Sequence, residues 1–414
     1  MTKLIKIAAR NLFRYRRRTV LTTLLITIGV IAMLLFVSTS GSFKSMMVGQ
    51  ITDSMLGHFQ IHKKGYVSSI DSLPLTMNMK PKMYEKAEQF LSERDDIEAW
   101  SPRIKFGAMF SNYAETTNIR LNGVDPEKEI ATCPELPKRI IAGSSESLVK
   151  RGHILVPELI AKGLKVKPGD GIVLVATNRD GSVNGINFIV QGVLEGISGP
   201  GGRDGYLHIK DARELLRIEG NEISEIAVRL KQASSLKKTM ADLSGTMGVL
   251  KNQKGKPAFE IHGWNKLSPF SNIAKMIDLM TLFINIMLVS IVLISVMNVM
   301  IMAVYERIRE IGTIAAMGTQ PDAILKLFIS EGLLLGILGA VIGTSLSLII
   351  IFILQQSEIT FSFGRQTGLV LYPVIDLPQI LIASAMVIVV AALASVQPAW
   401  KASKMDPIEA LRHV

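Results

Sequence analysis

The chain has 414 residues, of which 48% are apolar and 20% charged, and its mean hydropathy is +0.34. This composition favours a membrane protein over a set of soluble domains, and the single cysteine, Cys133, excludes an intrachain disulfide. The net charge of +11 is concentrated at the start of the chain. Four uncharged runs each exceed the roughly 20 residues that cross a bilayer. They are residues 19–43, 279–305, 332–357 and 377–400.

The first predicted element is an amphipathic helix over residues 1–18. It carries seven basic residues and no acidic one, and apolar residues recur at helical spacing on another face. We expect this helix to lie on the cytoplasmic membrane surface, although its charges could also serve only to fix the topology. The run at 19–43 is a predicted transmembrane helix rather than a signal peptide, because it is too long and lacks an A-x-A cleavage pattern. Basic residues in the short loops predict that both termini are cytoplasmic.

Residues 44–272 form a predicted extracytoplasmic domain of mixed α+β structure. Its clearest strand pair covers residues 172–176 and 186–193, joined through an Asp-Gly turn. Without a disulfide, this domain depends on its own hydrophobic core. His58 and His62 alternate on a predicted strand, where four residues at about 3.3 Å each separate them by roughly 13 Å. This distance is too long for one metal ion, so the sequence predicts no metal site.

The second transmembrane helix is predicted over residues 273–305 and contains two polar residues, Asn285 and Asn298. Polar groups in hydrocarbon usually make hydrogen bonds between helices, so we expect that role rather than substrate binding. The following segment, residues 306–323, begins with four charged residues among five and then resumes an amphipathic pattern. This pattern predicts a cytoplasmic surface that meets another molecule, and the alternative is a charged loop that only reverses the chain.

The third transmembrane helix is predicted over residues 324–355, preceded by a helix start near Pro321. Four glycines on this helix lie on one stripe, which permits close approach of another helix, either in this chain or in a second one. They are Gly332, Gly336, Gly339 and Gly343. An extracytoplasmic loop at 356–376, a fourth transmembrane helix at 377–400 and a cytoplasmic tail at 401–414 complete the prediction. The predicted fold class is membrane α-helical, with one transmembrane helix before and three after a large mixed α+β domain.

Several kinds of chemistry have no residues to support them. The sequence contains no G-x-x-x-x-G-K-[ST] loop for nucleotide phosphates, no G-x-S-x-G elbow and no H-E-x-x-H helix. No acidic or basic residue lies near the middle of a predicted span, which argues against an ion-coupled carrier. The basic residues beside the first span indicate contact with anionic lipid rather than nucleic acid. We therefore predict a chain that is not an enzyme and that binds no cofactor or metal itself.

Three segments resemble the permeases of the MacB, LolC/LolE and FtsX superfamily of ABC transporters. Residues 9–14 with Arg18 and Thr19 are similar to the family's pre-membrane helix, residues 306–318 to its coupling segment, and residues 398–412 to its tail. Residues 163–170 and the following strand pair are similar to its periplasmic core domain. The resemblance implies that the segment at 306–318 is a helix that binds a separate ATPase subunit. Its implied contact residues are Glu306, Arg307, Arg309, Glu310, Ile311, Gly312, Ile314, Met317 and Gly318.

The resemblance also implies partners and a mechanism. Two permease chains, identical or homologous, and two ATPase subunits would form the transporter in the inner membrane, and ATP and Mg²⁺ would be bound by the ATPase. Nucleotide-driven closure would be transmitted through the second helix to the external domain. Without a fused ATPase, the chain most resembles lipoprotein-releasing LolC/LolE-type permeases, so the expected cargo is a lipoprotein, lipid or other amphiphile passed to a periplasmic carrier. The alternative functions are an FtsX-like mechanotransmitting regulator of an external hydrolase or sensor, and a passive membrane scaffold.

Overall fold

The computed structural model describes residues 2–144, 147–196, 204–248, 250, 255, 257–357, 360–363, 366–370, 372–374 and 376–412. The chain divides into two compact units. The helical unit comprises Met1–Ser45, Lys275–Phe361 and Thr367–Val414. The sheet unit comprises Met46–Ala274 and Ser362–Gln366.

The α-helices of the described residues comprise four long ones and a larger number of short ones. In chain order they are α1 (Thr2–Arg14), α2 (Arg16–Ile51), α3 (Pro81–Ser92), α4 (Pro126–Thr132), α5 (Glu158–Gly163), α6 (Ile209–Leu216), α7 (Leu236–Gly248), α8 (Trp264–Leu267), α9 (Phe270–Glu306), α10 (Ile308–Ala316), α11 (Pro321–Gln356), α12 (Leu377–Ser403) and α13 (Pro407–Arg412). A π-helical turn, Thr52–Leu56, directly follows α2.

The strands belong to one large sheet and one small hairpin. They are β1 (Phe59–Lys63), β2 (Ile97–Ser111), β3 (Thr116–Val124), β4 (Ile140–Gly143), β5 (His153–Pro157), β6 (Gly171–Thr177), β7 (Val183–Leu194), β8 (Asp204–His208), β9 (Glu225–Leu230), β10 (Phe259–Gly263), β11 (Thr360–Phe363) and β12 (Gln366–Val370). The sheet has ten strands in the order β10-β1-β9-β2-β3-β8-β5-β7-β4, and β6 pairs with β2 and β7. The predicted strand pair corresponds to β6 and β7, which are antiparallel neighbours.

Hydrophobic residues cover one face of this sheet and part of the other. Because side chains alternate along a strand, consecutive residues point to opposite faces. Ile154 and Leu207 belong to the larger core, whereas the adjacent Leu155 and Tyr206 belong to a second, smaller core with Cys133. The larger core also contains buried residues of α3, α6 and α7. Cores of this size suffice for a domain without a disulfide.

Four helices are long and apolar enough to cross a membrane. They are α2 with its π-helical extension, α9, α11 and α12. Their outward side chains are largely apolar and exposed, as expected of surfaces that contact lipid. One such helix precedes the α+β region and three follow it, which confirms the predicted fold class.

The helices do not end where the predicted spans end. Helix α2 begins at Arg16 and continues to Ile51, and α9 covers Phe270–Glu306, so both extend past the uncharged runs. The predicted amphipathic helix is interrupted, since α1 ends at Arg14 and α2 starts two residues later. The amide of Tyr15 still donates to the Asn11 carbonyl at 3.1 Å. A helix can extend beyond the hydrocarbon core of the membrane because its own hydrogen bonds satisfy its backbone N–H and C=O groups.

Candidate coupling site

The segment after α9 changes direction at Arg307. This residue has φ −116° and ψ 19°, values outside the helical range, and it separates α9 from α10. The break is short, because the amide of Arg307 still donates to the Val304 carbonyl at 3.2 Å and the amide of Ile311 to the Arg307 carbonyl at 2.9 Å. The long helix and the coupling segment are therefore two helices joined by a single residue.

The side chain of Arg307 is buried and holds two acidic residues. Its Nη1 donates to Glu331 Oε1 at 3.0 Å and its Nε to Glu310 Oε2 at 3.0 Å. Glu331 lies on α11 with 0% exposure, and it also accepts a hydrogen bond of 2.7 Å from Asn11 Nδ2 on α1. A buried carboxylate needs such partners, since an unpaired charge would be very costly there. Glu331 therefore ties α1, α10 and α11 together.

Tyr15 completes this buried cluster. Its hydroxyl donates to Glu310 Oε1 at 3.0 Å, and its ring lies 5.3 Å from the Arg18 guanidinium and 5.4 Å from that of Arg307. Such distances allow cation–π attraction. Arg18 Nη2 lies 3.8 Å from Glu331 Oε2, and within the described part of the chain its guanidinium makes no hydrogen bond. We call Asn11, Tyr15, Arg18, Arg307, Glu310 and Glu331 the buried ionic cluster.

Two ionisation shifts reflect this arrangement. Burial alone would raise the pKa of Glu310, but hydrogen bonds from Arg307 and Tyr15 outweigh it and lower that pKa. Burial likewise acts to lower the pKa of Arg307, but the Glu331 carboxylate and the hydrogen bonds to both acids raise it. Both side chains of this pair therefore stay charged at neutral pH.

The short tail helix packs on the other side of α10. A Cβ atom on Gly312 would lie 2.7 Å from Ala410 Cβ, closer than real Cβ atoms approach, so the close packing of α10 on α13 requires glycine at this position. Helix α10 ends at Ala316, and Gly318 then takes φ +87°, a left-handed conformation typical of the residue after a helix. The three segments that carry the family resemblance thus meet in one place.

Some of the predicted contact residues are buried in the structure and others are exposed. Arg307 is 4% exposed and Ile311 is 3% exposed, so both side chains lie inside the chain in this conformation, and their contact with a partner stays a prediction. Gly312 is also buried, and Glu310 and Ile314 are half-buried. The buried pairs explain the difference, because Arg307 satisfies Glu331 and Ile311 belongs to the hydrophobic core of the helical unit.

One stripe of this segment remains exposed. Its residues lie three or four positions apart, from the last residue of α9, through α10, to the residue that follows α10. They are Glu306, Arg309, Thr313 and Met317, and Gly318 follows. Met317 is 73% exposed, an unusual exposure for a large apolar side chain. We call these four residues the exposed stripe.

The glycines of α11 lie against two different helices. A Cβ on Gly332 or Gly336 would lie 2.2 Å from Ser395 Oγ or 2.7 Å from Ala391 Cβ, both on α12. A Cβ on Gly339 would lie 2.4 Å from Ile26 Cγ2, and one on Gly343 would lie 2.7 Å from Val30 Cβ, both on α2. The glycine stripe therefore packs within this chain, and helix α11 sits between α12 and α2.

The two asparagines of α9 do not join helices here. Asn298 is exposed on the helix surface. Asn285 is half-buried, and its Oδ1 atom has no hydrogen-bond partner among the described residues. Their role as hydrogen-bonding residues between helices therefore stays a prediction.

Sequence reasoning missed three members of the buried ionic cluster. In the sequence, Glu331 is the acidic residue directly before the uncharged run 332–357. An acidic residue at that position indicates a charge that is paired in the folded protein. Asn11 and Tyr15 lie on the same face of the N-terminal segment, at a spacing of four. Across the described residues, no group of three His, Cys, Asp or Glu side chains is placed to hold a metal ion. The site thus consists of hydrogen bonds and ion pairs, which fix α1, α10 and α11 relative to one another.

Comparison with protein families gives two matches in order along the chain. Residues 19–246 match the MacB-like periplasmic core domain, and residues 282–407 match the FtsX-like permease C-terminal domain. The first match alone covers more than half of the 414 residues.

Relatives of several kinds share these domains. The lipoprotein-releasing system transmembrane protein LolC of Neisseria meningitidis is 20% identical over 411 residues, covering 94% of this chain and 92% of that protein. The pyoverdine export ATP-binding/permease protein PvdT of Pseudomonas putida is 28% identical over 234 residues, 55% of this chain. The match covers only 34% of the length of PvdT.

Solved structures match half of the chain more distantly. The periplasmic region of MacB from Actinobacillus actinomycetemcomitans is 13% identical with a TM-score of 0.34, covering 50% of this chain and 89% of that one. The extracellular domain of the transporter YknZ from Gram-positive bacteria is 16% identical with a TM-score of 0.33, covering 50% and 99%. The family matches and the four membrane helices establish a multi-pass inner-membrane protein with an extracytoplasmic domain. The chain belongs to the MacB, LolC/LolE and FtsX superfamily and is an ABC transporter permease.

Proposed function

We propose that this permease couples ATP hydrolysis by a separate ATPase subunit to conformational change of its extracytoplasmic domain, and that this change releases a lipoprotein, lipid or other amphiphile from the inner membrane. The observation that carries the proposal is the exposed stripe backed by the buried ionic cluster. The stripe offers an acid, a base, a hydroxyl and an exposed apolar side chain within one short segment. Interfaces commonly combine an apolar anchor with a polar rim in this way.

The buried ionic cluster supplies the rigidity that coupling needs. A partner that pushes on Arg309 or Met317 moves α10, and α10 is attached to α11 and α1 through Glu331. Gly312 fastens the same helix to the tail. A displacement of the stripe is therefore passed to the membrane helices instead of being absorbed by a loose loop.

The path from the membrane to the extracytoplasmic domain follows the chain itself. Helix α2 runs from Arg16 to Ile51 and α9 from Phe270 to Glu306, so each contains residues of both the helical unit and the sheet unit. A single helix carries rotation and translation along its length better than a flexible linker does. We infer that α9, which ends at the stripe, is the main connection.

The remaining parts of the proposal concern orientation and partners. Both termini lie in the cytoplasm, since the basic residues cluster beside α2 and in the segments after α9 and α12. The functional unit contains a second permease chain, identical or homologous, and the released cargo passes to a periplasmic carrier. The LolC relative, a lipoprotein-releasing protein, matches over most of its length and supports this cargo class.

Copurification with the ATPase tests the coupling surface. The chain is expressed with a candidate ABC ATPase subunit, and Arg309→Glu and Met317→Asp are compared with Lys401→Glu, a charge reversal at an exposed site on α12. We expect each stripe variant to reduce the bound ATPase at least about tenfold, the effect of losing one strong interface contact. If both variants retain as much ATPase as Lys401→Glu, the stripe is not the coupling surface.

A transport assay tests the rest of the proposal. Proteoliposomes that contain the permease, its partner permease and the ATPase are given ATP and an acylated protein. ATP-dependent release of this protein supports the proposed function. ATP turnover without release, together with a hydrolase or sensor bound to the extracytoplasmic domain, would instead establish the regulatory alternative. Unchanged ATPase activity with and without the chain would leave only a scaffold.

A further inference from the structure

The central sheet has a buried face made of polar and charged residues. Within the strand register, His62 and Arg103 both pair with Glu225, and Lys105 pairs with Asn122. Paired residues share a face, so these side chains lie together, opposite the larger hydrophobic core. The face includes Gln60, His62, Ser101, Arg103, Lys105, Arg120, Asn122, Asp204 and Glu225. Most of them are less than 10% exposed.

A cavity of about 340 Å³ lies on this polar face. One wall is polar and comes from the strands, with Arg103, Lys105, Arg120, Asn122 and Asp204. The other wall is apolar, with Ile51, Met55 and Leu56 from the end of α2 and its π-turn, Ile70 and Leu73 from the following loop, and Leu267, Pro269 and Phe270 before and at the start of α9. All of these residues belong to the sheet unit. Small-molecule sites have this composition, and about 300 Å³ is the lower end of their size range.

The deepest cation, Arg103, is committed to the fold. Its Nε and Nη2 donate to the two carboxylate oxygens of Glu129 at 3.0 and 2.6 Å, and its Nη1 donates to Glu225 Oε1 at 3.3 Å. Burial would raise the pKa of Glu225, but the neighbouring Lys105, His62 and Arg103 together hold that pKa well below its usual value. Glu225 therefore remains ionised, and its carboxylate holds the side chains of Arg103 and Lys105 in place.

Two other cations keep hydrogen-bond capacity. Lys105 Nζ lies 3.1 Å from Glu225 Oε1, a contact that uses one of its three N–H groups. Arg120 donates from Nε and Nη2 to the two oxygens of Asp204 at 2.7 and 3.1 Å, which leaves Nη1 uncommitted in the described part of the chain. Both side chains line the cavity and are only half-buried. Each of them therefore has N–H groups left to donate at a partly closed site.

These two cations are close enough to share one ligand group. Lys105 pairs with Asn122, and Arg120 is the next residue along β3 on the same face. Diagonal neighbours of this kind have Cβ atoms about 7 Å apart. The acids that line the cavity do not fill this position, because Asp204 has both oxygens bound to Arg120 and Asp71 is exposed at the rim.

We propose that this cavity binds a small amphiphile with one acidic head group, a carboxylate or a phosphate. The head group lies between Lys105 and Arg120, and the apolar chain lies along Met55, Leu73 and Phe270. The volume fits one short acyl chain rather than a complete diacyl lipid. This inference does not rest on the proposed transport function, because it requires neither the ATPase nor ATP.

Photo-crosslinking in the full chain tests the proposal. The protein is placed in nanodiscs of phosphatidylcholine, without ATP, and labelled with dodecanoate that carries a diazirine on its chain. We expect label on peptides containing residues 51–56, 70–73 or 267–270. Unlabelled dodecanoate and dodecyl phosphate should each reduce the label, and their relative potency shows which head group is preferred. Dodecyltrimethylammonium, with the same chain and a cationic head, should not compete.

Three competition outcomes would overturn the inference. Equal competition by the cationic amphiphile would mean that the site does not recognise charge. Competition by acetate or inorganic phosphate at the potency of dodecanoate would mean that no apolar chain is bound. Label found only on peptides that do not line the cavity would place the probe elsewhere.

Variants separate binding from folding. Lys105→Gln should weaken labelling about tenfold, as expected for losing a hydrogen bond to a charged group. Leu73→Glu should abolish labelling, whereas Leu159→Glu, at an exposed site on α5, should not change it. A protected Cys133 thiol shows that each variant is folded. If Lys105→Gln exposes that thiol, the test of binding is instead Asp71→Asn, a change at an exposed residue of the cavity rim. Asp71→Asn should strengthen labelling. Unchanged labelling would refute the site.

Discussion

Replacing Glu331 with glutamine tests the buried ionic cluster most directly. The wild-type carboxylate accepts hydrogen bonds of 2.7 Å from Asn11 and 3.0 Å from Arg307, and Arg18 lies 3.8 Å away. In the Glu331→Gln variant the shape is kept and the negative charge is lost, so Arg18 loses the carboxylate beside it and Arg307 keeps only Glu310 as a counter-ion among the described residues. Removing one partner of a buried ion pair costs about 3–5 kcal/mol. We expect about 3 kcal/mol, the lower limit, because glutamine can still accept one hydrogen bond.

The matched control is Glu306→Gln, the same change at an exposed position. It should change stability by less than about 0.5 kcal/mol, as surface substitutions usually do. Stability is measured by circular dichroism as sodium dodecyl sulfate is added to mixed micelles. A loss of 3 kcal/mol corresponds to a change of about a hundredfold in the folding equilibrium.

A double variant identifies the interaction responsible. If Arg307 and Glu331 act as a pair, the Arg307→Gln/Glu331→Gln chain should be less destabilised than the sum of its two single variants, by at least about 1 kcal/mol. The reasoning is refuted if Glu331→Gln is as stable as Glu306→Gln, or if the two effects at Arg307 and Glu331 simply add.

Three further predictions concern packing, reactivity and pH. Gly339→Ala should destabilise the helical unit by about 1–3 kcal/mol, because the added methyl group overpacks the helix contact. Gly41→Ala has open space around its Cβ and should be neutral or slightly stabilising. The same micelle titration compares the two variants. Burial raises the pKa of Cys133 to about 12, so a maleimide at pH 7 should label it only after unfolding, and labelling of the native protein would contradict its burial. Hydrogen bonds from Arg94 lower the pKa of Asp96 to about 2, so its stabilising contribution is complete above about pH 4 and is lost as the pH falls towards 2. Asp96→Asn should therefore be less stable than wild type at pH 6 in thermal unfolding, with the gap closing between pH 4 and 2; a gap that persists at pH 2 would exclude this origin.

The membrane helices could be predicted from sequence because the signal is local. A run of uncharged residues such as 332–357 is long enough for a bilayer whatever the rest of the chain does. The glycine stripe on α11 was visible for the same reason, since helical spacing alone places four residues on one face. Which helices it meets depends on tertiary packing, and the sequence left that choice open.

The direction of a charged side chain could not be predicted in this way. Arg307 looks like its neighbour Arg309 in the sequence, yet one is buried and the other exposed. The difference arises from Glu331, which is distant in sequence and needs a cation in the interior. A helical pattern read from residues 306–318 alone contains no information about that partner.

The polar face of the sheet was missed for a related reason. Gln60 and His62 alternate with apolar residues, a pattern that usually indicates one buried and one solvated face. Here both residues are 0–1% exposed, because loops and the short helix α4 cover the polar side. Burial of this kind depends on segments far away along the chain, so strand periodicity cannot reveal it.

The positions at which the two units divide have a practical consequence for dissecting this protein. Two of the divisions lie within helices, since Ser45 and Met46 belong to α2 and Ala274 and Lys275 belong to α9, so each of these two cuts through an unbroken helix and not through a linker. Natural domain boundaries normally fall in flexible, polar segments. A soluble fragment prepared by cutting there would end in two helical stubs, and each stub would keep only part of the hydrogen bonding that maintains it. A designed antiparallel pair of helices that extends both stubs would keep the ends of the domain helical, whereas simple truncation would not.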